Sequence, residues 1–101
     1  MRQVLLIEDC EDDRRLFALA LAKSGVQAAL QIVNDGPQAI DYLEGKGRYG
    51  NRSQYPLPDV IACDLRMPGD GFEFLKWREA SEFSCVPVIV LEGSGNKQDQ
   101  E

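Results

Sequence analysis

With 101 residues, 44% of them hydrophobic and 28% charged, the chain has the length of one domain with a modest core. A net charge of −6 and the lack of a basic stripe exclude broad affinity for nucleic acid or anionic membranes, because counterion release needs clustered cations. No histidine is present, which excludes His-based catalysis and His-ligated zinc within this chain.

The first predicted element is a buried strand, Val4-Leu5-Leu6-Ile7, followed directly by Glu8 and Asp9. Asp12 or Asp13 is expected to cap a helix running to about Ser24, with Leu16, Phe17, Leu19 and Ala20 in an apolar stripe and Gly25 stopping it. Arg14 and Arg15 read as part of a solvated helix face. Residues 28–33, Ala-Ala-Leu-Gln-Ile-Val, form a second strand. Asn34-Asp35-Gly36-Pro37 is then a turn into a helix carrying Ala39, Ile40, Tyr42 and Leu43, which Gly45 ends.

Residues 45–58 are a polar loop, longer than the usual helix-to-strand connection, and read as either a connector or a contact surface, with the connector preferred. Tyr49 and Tyr55 are its aromatic features and candidates for pinning it to the body. The third strand, Val60-Ile61-Ala62-Cys63-Asp64, ends on a carboxylate and leads into the turn Leu65-Arg66-Met67-Pro68-Gly69-Asp70-Gly71. A helix over 71–81 follows, with Phe72, Leu75 and Phe74 or Trp77 inward. The fourth strand spans 86–91 with Pro87 at its start, Glu92-Gly93-Ser94-Gly95 is a turn, and the polar residues 96–101 are frayed or begin a helix.

Strands alternating with helices predict an α/β fold with a parallel sheet joined by right-handed crossovers. In such sheets reactive groups gather outside the carboxyl ends of the strands. If the first and third strands are neighbours, Glu8, Asp9 and Asp64 meet at one end, and gathered carboxylates call for a hard divalent cation with oxygen ligands, for which Mg²⁺ fits. Cys10, Cys63 and Cys85 form neither a CxxC pair nor an even disulfide set, which suits a reducing compartment. No apolar run approaches the ~20 residues of a membrane span and the N-terminus opens on a strand rather than a signal peptide, so a cytoplasmic location is expected.

The segments Val4–Asp9, Leu57–Pro68, Gly71–Leu75 and Val86–Leu91, in that order and spacing, resemble the receiver domain of two-component response regulators across essentially the whole chain. Tyr42-Leu43-Glu44-Gly45, Gly47, Tyr49, Arg52 and the run Tyr55–Asp59 are similar to a single-domain subgroup that pairs with phytochrome-type histidine kinases. The resemblance implies a flavodoxin-like open parallel sheet of strand order 2-1-3-4 with helices on both faces. It also implies one receiver domain over residues 1–101 that lacks the last strand and helix. Asp64 is then the acceptor of a phosphoryl group from a histidine kinase or phosphotransfer protein. Mg²⁺ is held by Asp9, by Glu8 through a water, by Asp64 and by the backbone carbonyl of Arg66.

Three departures from the family pattern bear on this reading. Glu92 stands where a Thr or Ser hydroxyl bonds the phosphoryl group, and Ser94 is the nearest substitute. The family's later Lys, on a fifth strand, has no counterpart, and the open sheet edge invites a homodimer or a swapped dimer. Two residues rather than three separate Pro68 from Gly71. The alternative reading is therefore an atypical receiver acting as a phosphorylation-independent interaction module. In either case the chain is expected to be a signalling protein and not an enzyme beyond assisting its own phosphorylation. A Mg²⁺-dependent phosphohydrolase is disfavoured, because Arg66 stands where its general acid Asp would be.

Overall fold

The computed structural model describes residues 1–64 and 70–91. Its element order is β1 (Arg2–Ile7), α1 (Glu11–Lys23), β2 (Ala28–Val33), α2 (Gly36–Glu44), a 3₁₀ turn (Gly47–Gly50), β3 (Val60–Asp64), α3 (Asp70–Glu79) and β4 (Val88–Leu91). The four strands form one parallel sheet, as the alternation of strands and helices predicts, in the order β2-β1-β3-β4 that the resemblance implies. Among the described residues no helix is long and apolar enough to cross a membrane.

Because strand side chains alternate, Leu5, Ile7, Ile61 and Cys63 point to one face. There they are buried with Ala39, Tyr42 and Leu43 of α2 and Phe74 of α3. Val4, Leu6 and Ala62 point the other way and are buried as well. A sheet so covered reads in sequence as an unbroken apolar run, which is why β1 and β3 are recognisable without alternation.

The boundaries of α2 follow from local chemistry. The Asp35 side chain accepts from the Gln38 backbone N–H at 2.9 Å, and Pro37 in the first turn forfeits an N–H that has no helical partner there. Gly45 closes the helix with φ +71°, and a Cβ at that position would meet the Arg52 guanidinium at 3.0 Å. The close approach is needed because Arg52 donates to the carbonyls of Tyr42, Leu43 and Tyr55 at 2.9, 2.8 and 3.1 Å. It thus satisfies the Leu43 carbonyl at the end of α2 and adds a second donor to the Tyr42 carbonyl, which also accepts from the Gly45 N–H.

The 45–58 loop accordingly packs on the body. Tyr49 is buried within its 3₁₀ turn, and its ring lies 5.0 Å from that of Tyr42 and 5.1 Å from that of Tyr55. The Tyr42 hydroxyl donates to Pro56 O at 2.8 Å. The tyrosine pinning expected from the sequence is present, and the connection from α2 to β3 packs on α2.

Three element assignments are corrected. Neither Asp12 nor Asp13 caps α1: the N-cap is Cys10, without a side-chain cap bond, and both aspartates lie in the first turn. Phe72 is 59% exposed while Phe74 is fully buried, because two residues at 100° each place them on nearly opposite sides of α3. Phe74 and Trp77, three apart, share the inner side with Leu75, and Trp77 stacks on Phe83 at 5.9 Å. β4 begins at Val88 rather than residue 86. Pro87 precedes it and only accepts, from Ile61 N–H at 2.9 Å, while Arg78 ties the connection down through Val86 O and Ser84 O.

Candidate functional site

The register of β1 on β3 pairs Ile7 with Cys63, so the residues that follow each in sequence, Glu8 and Asp64, come side by side at the carboxyl edge of the sheet. Both are withdrawn from water, at 2% and 1% exposure. A third carboxylate joins them from α1: oxygens of Glu8, Asp13 and Asp64 lie within 4.8 Å of one another, with Asp13 the half-buried member. Asp9 is exposed and is not one of the three. Arg66, Glu92 and Ser94 lie outside the described residues.

The first turn of α1 builds one wall of this pocket. Cys10 N–H donates to Glu8 Oε2 at 3.2 Å, and Arg14 Nε donates to the Glu8 carbonyl at 2.7 Å while its guanidinium also donates to Asn34 Oδ1. Arg14 is therefore a clasp between α1, the end of β1 and the turn after β2, not the solvated residue its neighbourhood suggests. Arg15 is solvated as expected, and its 3.5 Å pair with Glu11 is too exposed to matter much.

Burial, first, and then the hydrogen bond and charge of Asp64, push the Glu8 carboxyl from its ordinary 4.5 up to about 7, against a smaller lowering by the Cys10 N–H. Asp13 adds repulsion in the same direction. Three hard oxygen donors, two of them buried, with one holding its proton near neutrality, suit a hard divalent cation: the donor set fits, and the cation would displace that proton. Burial likewise pushes the Cys63 thiol up to about 11, leaving it unreactive behind the site. All three cysteines are free.

A pH dependence follows. The folded protein holds the Glu8 proton more tightly than the unfolded chain, so this group's contribution to stability is complete below pH 4.5 and is lost as pH rises toward about 7. In EDTA the melting temperature should therefore fall across that interval, and Glu8→Gln should flatten the fall. An unchanged slope in the variant would mean that another group titrates there.

Asp13 escaped the sequence reading because an acid in a first helical turn has an ordinary role near the helix dipole. Its spacing of five from Glu8 across a strand-to-helix turn carries no periodic signal.

No family model matches the chain. In sequence it is 36% identical over 98 residues to response regulator Rcp1 of Synechocystis sp., covering 95% of this chain and 65% of Rcp1. Among solved structures it is similar to response regulator RPA3017 in red light signaling of R. palustris, with TM-score 0.85 and 31% identity over 95% of this chain and 68% of that one. The Mn²⁺-bound form of Rcp1 gives TM-score 0.80 and 33% identity over 96% and 69%. The phosphorylated cyanobacterial phytochrome response regulator RcpA gives TM-score 0.80 and 37% identity over 94% and 67%. This chain thus spans about two thirds of the length of these relatives.

Proposed function

Since the chain belongs to the receiver domains of two-component response regulators, we propose that Asp64 accepts a phosphoryl group from a phosphohistidine of a partner histidine kinase in a Mg²⁺-dependent step. The observation that carries the reading is the side-by-side placement of Glu8 and Asp64 at the carboxyl edge of the sheet.

Asp64 supplies the nucleophile: one carboxylate oxygen bonds to phosphorus as the P–N bond to the donor imidazole breaks, leaving an acyl phosphate and a neutral histidine on the kinase. In-line transfer of this kind is largely positioning and charge neutralisation. Glu8, Asp9, Asp64 and the carbonyl of Arg66 are the residues proposed to hold Mg²⁺. When bound, the cation screens the attacking carboxylate from its acidic neighbours and from the incoming phosphoryl oxygens. Glu8 would hold the cation as its carboxylate. The added charge of about −1.5 to −2 on Asp64 then biases adjoining segments between two arrangements, which is the signal.

A phytochrome-type kinase is the proposed donor. Support comes from RPA3017, a response regulator in red light signaling, and from RcpA, a cyanobacterial phytochrome response regulator. The protein is proposed to be cytoplasmic and to have no catalytic activity beyond assisting its own phosphorylation.

Incubation with acetyl phosphate and Mg²⁺ tests the proposal. The expected result is a mass gain of one phosphoryl group, labile to hydroxylamine and located at Asp64. A protein that binds Mg²⁺ and never becomes labelled would instead be a phosphorylation-independent interaction module, the reading that Glu92 favours because a carboxylate repels phosphoryl oxygens.

A further inference from the structure

Resting on that metal-dependent reading, we infer that Asp13 is a working member of the cation site, and that a divalent ion shared by Glu8, Asp64 and Asp13 fastens the first turn of α1 to the sheet. The three carboxylates come from three elements: the end of β1, the end of β3, and α1. Glu8 and Asp64 lie on neighbouring strands already joined by the backbone ladder, so a cation between them alone would bridge nothing new. Asp13 is different, because it sits on α1, outside the strand ladder.

None of the thirteen residues of α1 is buried, and Leu16 and Leu19 are 64% and 53% exposed. The start of the helix has no side-chain cap. Its first turn holds to the sheet edge through polar contacts: Cys10 N–H on Glu8 Oε2, and Arg14 on the Glu8 carbonyl and on Asn34. Against these contacts stands the repulsion among the charges of Asp13, Glu8 and Asp64. A divalent cation reverses the sign of that interaction, converting like-charge repulsion across the α1–sheet boundary into two attractions to a common centre. The Mn²⁺-bound form of Rcp1, a relative of the same fold, makes Mn²⁺ the natural probe.

Asp13 is partly exposed and Asn has its shape, so Asp13→Asn is expected to fold. Mn²⁺ alone is titrated calorimetrically into the wild type, Asp13→Asn and Asp12→Asn. The last removes the same charge from the same turn at a residue outside the cluster. Asp13→Asn should weaken Mn²⁺ binding by about tenfold, the usual scale for a group supporting a metal centre, whereas Asp12→Asn should stay within about twofold because an exposed charge is screened. Hydrogen exchange followed by mass spectrometry gives the second readout: saturating Mn²⁺ should slow amide exchange across the first turns of α1 in the wild type and in Asp12→Asn, and not in Asp13→Asn. Equal affinities for the two variants, or equal slowing of α1, would overturn the role of Asp13 and leave the phosphoacceptor reading standing. A wild type that takes up no Mn²⁺ would remove the metal-dependent reading and this inference together.

Discussion

Asp64→Asn is expected to abolish labelling by acetyl phosphate and, in metal-free buffer at pH 7, to make the protein more stable than the wild type. Loss of labelling follows from loss of the nucleophile, since an amide oxygen does not form a lasting acyl phosphate. The gain in stability follows from geometry. Asp64 is 1% exposed beside a Glu8 carboxyl that its hydrogen bond and charge help push up to about 7. Asn preserves the shape, offers N–H groups to the Glu8 carboxylate and removes one buried charge, so Glu8 should ionise closer to its ordinary range. A gain on the order of 1 kcal/mol is expected, which for a domain of this size is about 4–8 °C in Tm. Saturating Mg²⁺ should cancel or reverse the difference, because the wild type alone retains the full carboxylate set. A variant that melts lower than the wild type in EDTA would show that Asp64 works in the metal-free protein as a hydrogen-bond anchor and not as a source of repulsion.

The second large effect is placed far from the acidic edge. Tyr42→Ala should cost about 3–5 kcal/mol, the range for truncating a buried aromatic, and so a large share of the roughly 5–15 kcal/mol that holds a domain folded. Tyr42 is 2% exposed, its ring meets Tyr49 at 5.0 Å and Tyr55 edge-on at 6.0 Å, and its hydroxyl anchors Pro56. Removing it opens the contact between α2 and the 45–58 loop and breaks two of the three ring pairs, leaving Tyr49 on Tyr55. Tyr42→Phe retains the rings and loses one hydrogen bond, for about 1 kcal/mol. Denaturant titration of both variants, with limited proteolysis of the loop, separates these contributions. A cost below about 1 kcal/mol for Tyr42→Ala, far under the usual range for such a truncation, would mean that the loop is held by Arg52 alone.

The Arg52 contacts illustrate what a chain read in order conceals. The residue stands seven positions past Gly45 in a polar loop, and its composition there suggests a solvated charge. Its actual partners are the last carbonyls of a helix that has already ended. The ring of Tyr49 is the contrasting case: an aromatic among glycines and polar residues signals that the loop folds back on α2, where that ring is buried. Helix α3 shows the limit of periodicity, since ten residues with aromatics at 72, 74 and 77 allow two inward faces, and only the position of α2 and the sheet selects the one with Phe74.

The sequence by itself determined the parallel sheet and its layering, because apolar runs at 4–7, 28–33 and 60–64 form strands, the first and third of them buried on both faces, and helical segments between them permit only crossover connections. It also placed Glu8 and Asp64 at the reactive edge, since a carboxylate ending a buried strand must leave the sheet at its carboxyl end. Only the tertiary structure decided which acid completes the cluster. Asp9 adjoins Glu8 in the chain and lies outside the cluster, while Asp13 enters it from α1. The reason is that membership depends on how α1 docks after the turn, a rigid-body placement set by the Arg14 clasp and by contacts between residues distant in sequence, which no local pattern encodes.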